Sequence, residues 1–466
     1  MFRLEYDPMG KVEVPVDKYW GAQTQRALYN FNISGKKWPV DVIKSIIMIK
    51  KASAEVNKQL GLLDPQKAEL IVKASNIILE KWEEFADNFP LDIFQTGSGT
   101  STNMNVNEVI SNLATEIAGK EKGSKFIHPN DDVNKGQSSN DVIPTAIRIA
   151  AFIQSVELIN KMQSLISSFK EKEKEFQEII KTGRTHLMDA TPISLAQEFS
   201  GYRRQIELSV ERIKSSLNRI RELPIGGTAV GTGINTHKEF GRRVAQKINE
   251  YLQDKIDFNV YPYFVETSNH FEAQASIDTL IELMASIKIC ALALMKITND
   301  IRWMASGPVG GIGELILPEL QPGSSIMPGK VNPVIPEAVG MACSYCIGLE
   351  YSLTVVNQYS NFELSTTFPL AALAISESLT IMSNVVQTIE NKLIKGLTPN
   401  KEKIENIVNF NPSLVTPLAK VLGYDKAYEI AKKASQERIS IKEYCLKYNI
   451  LSKEQAEELL DLKKMI

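Results

Sequence analysis

Hydrophobic residues in this chain recur every three or four positions over long stretches, and that spacing is typical of amphipathic α-helices. The segments that follow it are, in chain order, about 40–63, 65–82, 143–181, 195–223, 269–305, 336–358 and 369–395. The longest of them exceed the usual globular helix and predict an extended central bundle. Apolar residues occupy more than one face of these helices, so we expect contacts with other subunits as well.

The pattern changes at both ends of the chain. Residues 1–40 are mixed, and the tail from Pro399 is charged with a shorter periodicity. A chain of 466 residues exceeds what one compact core usually serves. We therefore predict an all-α protein of three domains, which are a mixed and helical domain over 1–139, the long-helix bundle over 140–395 and a small helical domain over 396–466.

Polar clusters interrupt the helical pattern, and the first of them, QTGSGTSTNMNVNEVI, runs from Gln95 to Ile110. Gly97 and Gly99 permit a turn whose backbone N–H groups point outward. A helix that begins near Asn103 would direct its positive N-terminal end towards this turn, which suits a carboxylate ligand. The same residues also suit an ordinary hydroxyl-rich helix N-cap.

The second cluster, HPNDDVNKGQSSNDVIPTA, runs from His128 to Ala146. A histidine beside carboxylates can indicate a metal site. However, no other His or Cys lies near it in the sequence, and Ser and Asn are poor ligands for transition metals. A hydrogen-bonding anion site is the better interpretation, and neither a metal nor another cofactor is expected.

The third and fourth clusters carry the remaining candidate chemistry. GRTHLMDATPISLAQEF places Thr185 and His186 just ahead of the helix predicted from about Leu195. GSSIMPGKVNPVIPE, from Gly323 to Glu337, holds so much Gly and Pro that it is predicted to be an exposed, mobile loop. Its paired hydroxyls, cation, amide and carboxylate suit a lid over a small anionic substrate.

Composition excludes several classes of function. With 53 basic and 55 acidic residues, the chain lacks the basic surface expected for binding nucleic acid or an anionic membrane. No apolar run approaches the roughly 18 uncharged residues of a membrane span, and the start lacks a secretory signal. The 4 cysteines make no disulfide framework, so we expect a cytoplasmic protein with Cys343 and Cys346 packed in its core.

Together the clusters offer hydroxyls, amides, one histidine and one lysine. Such a site can bind two carboxylates and move protons, but it has no obvious means of hydride or phosphoryl transfer. The reaction it suits is an elimination beside a carboxylate, in which a base removes the α-proton, fixed donors stabilise the resulting aci-dianion, and an acid protonates the leaving group.

The fourth cluster also resembles a known signature. GSSIMPGKVNP is similar to the signature of the fumarase/aspartase superfamily, close to its class II fumarase and aspartate ammonia-lyase branches. WGAQTQR, QTGSGT, HPNDDVN, QSSND and NDIRWMASGP resemble the class II fumarases, so the resemblance covers nearly the whole chain. It implies a metal-independent homotetramer built on a shared core of long helices, with active sites that draw residues from three subunits.

The activity implied by this resemblance is the reversible hydration of fumarate to L-malate, a small dicarboxylate reaction without a cofactor. Ser324 resembles the general base, and Lys330 is the cation beside it. His186, held by Glu337, resembles the second catalytic residue. The substrate-binding positions implied are Ser98, Gly99, Thr100, Ser138, Ser139, Asn140, Thr185, Ser325, Lys330 and Asn332. A secondary dicarboxylate site near the entrance is implied for His128, Pro129, Asn130 and Asp131.

Other functions compete with hydration as the interpretation of this sequence. A catalytically silent helical scaffold is disfavoured because every catalytic position of the family is occupied. Argininosuccinate and adenylosuccinate lyases are disfavoured because nothing here resembles their other segments. Ser98 and Ser139 stand where aspartases tend to carry alanine and threonine, which favours the hydratase. Val334–Glu337 is closer to the aspartase pattern, and it keeps ammonia release from L-aspartate open as the alternative.

Overall fold

The computed structural model describes residues 1–258 and 262–466. They form two compact units. The first unit comprises Met1–Asn160, Glu211–Ala291 and Ser344–Ser383, and the second unit comprises Lys161–Val210, Leu292–Cys343 and Asn384–Ile466. The division into three domains at residues 139 and 395 stays a prediction.

Helices make up most of the described residues, which confirms the all-α fold class. In chain order they are α1 (Ala22–Asn30), α2 (Val40–Gln59), α3 (Pro65–Glu80), α4 (Trp82–Phe85), α5 (Thr100–Ile117), α6 (Ser139–Glu175), α7 (Leu195–Ile220), α8 (Phe240–Leu252), α9 (His270–Ala275), α10 (Asp278–Met304), α11 (Val334–Val356), α12 (Phe368–Ile389), α13 (Lys401–Asn409), α14 (Ala419–Leu422), α15 (Tyr424–Glu437), α16 (Ile441–Lys447) and α17 (Lys453–Leu459).

The described strands form small sheets of two strands each. They are β1 (Phe2–Asp7) with β2 (Gly10–Pro15), β3 (Ile180–Thr185) with β4 (Met188–Ser194), β5 (Glu222–Leu223) with β6 (Val265–Glu266), and β7 (Leu315–Ile316) with β8 (Thr398–Pro399). β5 and β6 run parallel, and the other pairs run antiparallel. Two strands cannot build a core alone, so these sheets fix connections between helices.

Two observed helices differ from their predicted bounds. The helix predicted over 269–305 is divided into α9 and α10, because Ser276 between them is extended and accepts the N–H of Asp278 on its hydroxyl at 2.9 Å. A serine that bonds nearby backbone offers the chain an alternative to continuous helix. The helix predicted over 143–181 ends at Glu175, since the residues that follow pair as the β3–β4 hairpin.

The core of the first unit is built around α2, which packs against α3, α5 and α8. Ile43, Ile46 and Ile47 are at most 2% exposed, and each such side chain contributes roughly 1.5–3 kcal/mol by leaving water. The same helix also buries Lys50 completely. An amine at 0% exposure requires polar partners, and Lys50 finds them in the side chains of Asn134 and Gln137.

The second unit holds an aromatic cluster and a separate small core. Phe169, Phe176, Phe199 and Tyr202 pack with ring centroids between 5.0 and 6.5 Å apart. Rings at these distances, tilted or edge to face, add to the gain from their buried area. The C-terminal helices bury their own apolar cluster around Leu418.

Three described helical segments are long and apolar enough to cross a membrane by length and composition, although each contains charged residues and none is an uncharged run of about 18 residues. They are Ser139–Glu175, Val334–Tyr359 and Phe368–Ile394. In the first, 89% of the apolar stretch is buried, so its hydrophobic side chains serve packing. In the second only 28% is buried, which leaves an apolar surface on that helix.

Cysteine side chains serve packing as well. All four cysteines are buried, and Cys343 and Cys346 are at most 1% exposed, so their predicted place in the core is confirmed. Burial raises the pKa of Cys346 to about 11, which keeps its thiol protonated. Within residues 1–258 and 262–466, no group of three or more His, Cys, Asp and Glu side chains could hold a metal ion.

Candidate active site

The first polar cluster forms the turn that leads into α5. Gly99 precedes the helix with a φ of +72°, and its N–H bonds the Thr96 carbonyl at 2.8 Å. A side chain at Gly99 would also meet Ile143 at 3.0 Å, so glycine suits both the turn and the packing. The hydroxyls of Ser98 and Thr100 share a hydrogen bond of 2.8 Å.

Helix α5 begins three residues before the predicted Asn103. Thr96 Oγ1 accepts the N–H of Ser101 at 3.3 Å, and Gln95 Oε1 accepts the N–H of Thr102 at 3.0 Å. Side chains of the turn therefore satisfy these two N-terminal donors themselves. At this point the turn therefore has hydroxyl groups, and not these two backbone N–H groups, available to bind a ligand.

The residues Ser138, Ser139 and Asn140 open α6. Ser138 Oγ accepts the N–H of Asn140 at 3.2 Å, while the N–H of Ser138 bonds Asp141 Oδ1 at 2.9 Å. These reciprocal bonds are those of a helix cap. Asn140 also donates from Nδ2 to the Ala229 carbonyl at 2.7 Å, which fixes the orientation of its amide.

Asp141 lies under this helix start and is completely buried. Its Oδ2 accepts the N–H groups of Gly226 at 3.1 Å and Thr228 at 2.9 Å. Burial raises the pKa of Asp141, although these hydrogen bonds oppose the shift. The carboxyl group thus joins the start of α6 to the glycine-rich connection that follows α7.

The two helix starts meet in the first unit. Asn103 on α5 donates from Nδ2 to Ser139 Oγ on α6 at 3.1 Å. The structure therefore brings together the predicted substrate-binding residues of this unit, which are Ser98, Gly99, Thr100, Ser138, Ser139 and Asn140.

His128 caps a single π-helical turn over Pro129–Val133. Its Nδ1 accepts the N–H of Asn130 at 3.3 Å and the N–H of Asp131 at 3.0 Å. These donors occupy the Nδ1 lone pair, which assigns the ring hydrogen to Nε2. The 3.2 Å approach of Nδ1 to the Asp131 carboxylate is therefore not a salt bridge of a charged ring.

The same turn lines a cavity of about 230 Å³ in the first unit, together with Glu5 and Asp7. Both carboxylates are paired, Glu5 with Arg3 at 2.6 Å and Asp7 with Arg26 at 2.7 Å. The Arg26 guanidinium holds the pKa of Asp7 below its usual value. Pairing cancels much of the negative charge that would repel an anion from His128.

In the second unit, Thr185 and His186 lie at the end of the β3–β4 hairpin. Thr185 pairs with Met188, so His186 and Leu187 alone form the loop, with φ values of +57° and +61°. Two positive φ angles are typical of a type I′ turn, which residues other than Gly, Asn and Asp seldom adopt. The helix predicted from about Leu195 does begin there as α7, and β4, which the periodicity did not predict, lies between it and His186.

Buried charges anchor the strand β3 of this hairpin. Glu314, at 0% exposed, accepts two hydrogen bonds from Arg184 at 2.9 and 2.7 Å and lies 3.2 Å from Lys181 Nζ. Glu314 belongs to the connection between α10 and the fourth polar cluster. One carboxylate therefore holds the strand before His186 against the chain segment that leads to Ser324.

The fourth cluster forms a loop that is closed at its base. The N–H of Gly323 bonds the Lys330 carbonyl at 2.9 Å, and Asn332 Nδ2 donates to the Gly323 carbonyl at 2.5 Å. Ser325 and the Lys330 side chain are exposed. The predicted exposed loop is therefore present, with Asn332 engaged in closing it.

Ser324 is the best-defined polar group of this loop. Its Oγ accepts the N–H of Ile326 at 3.2 Å and the N–H of Met327 at 3.1 Å. Hydrogen bonds to an oxygen stabilise negative charge on it, so these two backbone donors lower the cost of ionising the Ser324 hydroxyl.

Glu337 lies in the first turn of α11 and is exposed, as is His186. In the described part of the chain no hydrogen bond joins the two side chains, so their pairing stays a prediction. The second unit thus carries the remaining predicted site residues, which are Thr185, His186, Ser324, Ser325, Lys330, Asn332 and Glu337.

Sequence reasoning missed the residues that hold these groups in place. Asp141 and Arg184 stand inside the quoted motifs, where a charged side chain among hydroxyls and amides was a usable signal. Glu314 gave no signal in the sequence, because its partner Arg184 lies 130 residues away in the chain. A buried ion pair of that separation becomes visible only in the folded chain.

Comparison with protein families agrees with these motifs. A family model described as "Lyase" matches residues 10–348, and one described as "Fumarase C C-terminus" matches residues 414–466. All four polar clusters lie inside the first match.

The chain is also similar to named proteins over its whole length. A protein named fumarate hydratase class II from Thermus thermophilus is 44% identical over 463 residues, which are 98% of this chain and 97% of the relative. One of the same name from Helicobacter pylori is 44% identical over 467 residues, covering 100% of this chain and 99% of the relative. The crystal structure of a class II fumarase from Schistosoma mansoni matches with a TM-score of 0.95 and 36% identity, covering 100% of this chain and 99% of that one.

Proposed function

Because this chain belongs to the lyase family in which its full-length relatives are class II fumarate hydratases, we propose that it catalyses the reversible hydration of fumarate to L-malate. Membership of the superfamily expected from GSSIMPGKVNP is confirmed. The observation that carries the catalytic proposal is the convergence of two backbone N–H groups on Ser324 Oγ, within the signature loop.

Ser324 acts as the general base in the dehydration direction. It removes a proton from the malate carbon next to one carboxylate, and it returns that proton to fumarate in hydration. A serine hydroxyl is a very weak base in water, so its anion requires preorganised donors. The N–H groups of Ile326 and Met327 supply them, and Lys330 adds a positive charge when the loop closes over substrate and excludes water.

Removal of the proton leaves an aci-carboxylate, in which the negative charge has spread onto the neighbouring carboxylate. Lys330 and Asn332 stabilise this dianion electrostatically. Their effect on the rate comes from binding the intermediate more tightly than either malate or fumarate.

His186 handles the oxygen at the other carbon. In dehydration His186 gives a proton to the hydroxyl, which leaves as water. In hydration His186 orients and deprotonates the incoming water. Glu337 orients the imidazole. The hairpin suits this role, because Glu314 and Arg184 fix the strand that ends at His186.

The hydroxyls and amides of the first unit bind the substrate carboxylates. Thr100 is exposed at the start of α5, with Ser98 bonded to it. Ser138, Ser139 and Asn140 open α6, where the helix N-terminus favours a negative ligand. The cavity beside His128 is the secondary dicarboxylate site.

Four copies of the chain assemble into a homotetramer with shared active sites. This is supported by α11, whose exposed apolar residues include Met341 at 70%, Tyr345 at 43% and Val355 at 43%. These positions recur on one stripe of the helix, and an exposed apolar stripe of this kind marks an interface. The four buried cysteines suit a cytoplasmic location.

The choice of nucleophile is tested with fumarate absorbance in the ultraviolet. Purified protein should form fumarate from L-malate and should release little or none from L-aspartate. This expectation rests on Ser139 and Ser98, which stand where aspartases tend to carry threonine and alanine. A faster rise with L-aspartate would identify an ammonia-lyase and overturn the hydratase proposal.

The shared site is tested by complementation. Ser324→Ala and His186→Asn proteins, each nearly inactive alone, are dissociated, mixed and reassembled. Partial recovery of fumarate hydration is expected, because some sites in the hybrids receive both intact residues from different copies. Reassembled tetramers without recovery would show that each site is built within one copy.

A further inference from the structure

A buried polar chain runs behind the predicted substrate-binding start of α6. Lys50 Nζ donates to Asn134 Oδ1 at 2.7 Å and to Gln137 Oε1 at 3.0 Å. Asn134 Oδ1 also accepts from Asn103 Nδ2 at 3.2 Å. The second hydrogen of Asn103 Nδ2 goes to Ser139 Oγ at 3.1 Å.

Asn134 Oδ1 is the shared acceptor of Lys50 and Asn103, and Asn103 is the donor to both of its neighbours. The Asn103 amide has two hydrogens on Nδ2, and the structure gives one to Asn134 and the other to Ser139. Ser139 Oγ therefore accepts a hydrogen bond on the side that faces Asn103. Its own hydrogen is left to point to a different acceptor, which for a residue at the start of α6 can be a substrate carboxylate.

Burial makes this arrangement costly to rearrange. Lys50 is 0% exposed, Asn103 is 1% exposed and Ser139 is 8% exposed. A buried donor without a partner costs on the order of 1–3 kcal/mol, so each group keeps the partner it has. Burial lowers the pKa of Lys50 to about 7, and the amine retains two hydrogens for its two acceptors even when it is neutral.

We propose that Asn103 and Lys50 are positioning residues of the fumarate site, which hold Ser139 as a hydrogen-bond donor to the substrate carboxylate. Neither residue touches the substrate. Asn103 sets the direction of the Ser139 hydroxyl, and Lys50 fixes Asn134, which in turn fixes Asn103. The inference rests on the proposed function, because it assumes that Ser139 binds substrate.

The chain offers a matched control for Asn103. Asn107 lies one turn further along α5, is also buried at 0% exposed, and donates to the same Asn134 Oδ1 at the same 3.2 Å. Its other contact is Met104 Sδ at 3.5 Å rather than Ser139. Asn103→Leu and Asn107→Leu therefore remove equivalent bonds to Asn134, but only the first removes the bond to Ser139.

The experiment compares steady-state kinetics of the full-length variants with fumarate, with thermal unfolding as the measure of structure. Asn103→Leu should raise KM about tenfold and leave kcat within about twofold, since a group that binds the carboxylate in both ground and transition states is weakened. Asn107→Leu should be destabilised similarly but keep its KM within about twofold. Lys50→Met, at the far end of the chain, should raise KM about threefold, and it tests the same inference if Asn103→Leu does not fold.

Ser139→Ala separates the two levels of the argument. If Ser139→Ala leaves KM unchanged, Ser139 does not bind substrate and that part of the proposed function fails. If Ser139→Ala raises KM while Asn103→Leu and Lys50→Met behave like Asn107→Leu, the positioning inference is overturned and the substrate contact stands. Adding Asn103→Leu to Ser139→Ala should raise KM no further, because both changes interrupt the same bond.

Discussion

The two units hold their parts of the candidate site in different ways. In the first unit, the buried Asn103 bonds Ser139 and the buried Asp141 bonds the N–H of Ser138. In the second unit, Ser324 lies on a loop whose tip is exposed and whose bonds are mostly to its own backbone. The proposed binding groups are thus held by buried contacts, whereas the proposed base lies on an exposed loop, as expected of a segment that closes over substrate.

The largest effect should come from the exposed side of this comparison. Ser324→Ala removes the proposed base but no buried contact, so turnover should fall at least about 100-fold while the melting temperature stays unchanged. Ser325→Ala, on the same loop, should lose less activity. Near-normal turnover of a folded Ser324→Ala protein would remove Ser324 from the mechanism.

A buried charge should matter for stability instead. Glu314→Gln leaves Arg184 and Lys181 without their full negative partner, which should cost about 3 kcal/mol of unfolding free energy in a urea titration. Glu319→Gln removes an exposed carboxylate from the same connection and should change it by less than about 0.5 kcal/mol. Equal effects of the two substitutions would show that the Glu314 pairs do not anchor the hairpin.

Lys50 should make stability depend on pH. Burial lowers its pKa from 10.5 to about 7 in the folded chain, with the Asp141 carboxylate opposing the shift. Between these values the unfolded chain binds the extra proton, so stability should rise with pH by up to about 1.4 kcal/mol per unit. Below about pH 7 both states are protonated and the full cost of the buried charge remains.

Lys50→Met should abolish that rise. The measurement is the unfolding free energy of both proteins at several pH values between about 7 and 9.5. This range lies between the folded pKa of about 7 and the unfolded value of 10.5. If the variant and the parent chain show the same slope, another group causes the dependence and Lys50 is not buried as a titrating amine.

The smallest effect is expected at the turn before α5. Gln95→Leu removes the acceptor of the Thr102 N–H, which should cost about 1 kcal/mol, the usual loss for a helix-terminal bond. Thermal unfolding measures it. Thr96→Val removes the longer bond of 3.3 Å to the Ser101 N–H and should cost less unfolding free energy than Gln95→Leu. A larger loss in Thr96→Val would show that Thr96 is the main cap of this helix.

Helical periodicity predicted the fold class, because long apolar stripes leave few alternatives to packed helices. It failed where local hydrogen bonding intervened. Ser276 interrupts a predicted helix by bonding the Asp278 N–H, a contact that hydrophobic spacing does not reveal. The strand at Ile180–Thr185 was likewise missed, since its partner returns through a loop without the usual glycine.

The sequence predicted which polar residues belong to the candidate site, but not which groups hold them in place in the folded chain. Motifs supplied Ser324, His186 and the hydroxyls, and the resemblance supplied their proposed roles. The supports came only from the folded chain. Lys50 meets Asn134 across 84 residues of sequence, and it sits in a helix whose pattern gave it no distinction from surface lysines.

The hairpin that carries His186 also limits how the chain can change in length. One residue added to its two-residue loop would shift the pairing of Thr185 or force a bulge, and a one-residue shift turns every side chain to the opposite face. Arg184 would then lose Glu314. The β1–β2 hairpin also turns through two residues, Pro8 and Met9, and Asp7 beside that turn pairs with Arg26. The same reasoning therefore gives both hairpins a fixed loop length in evolution and engineering.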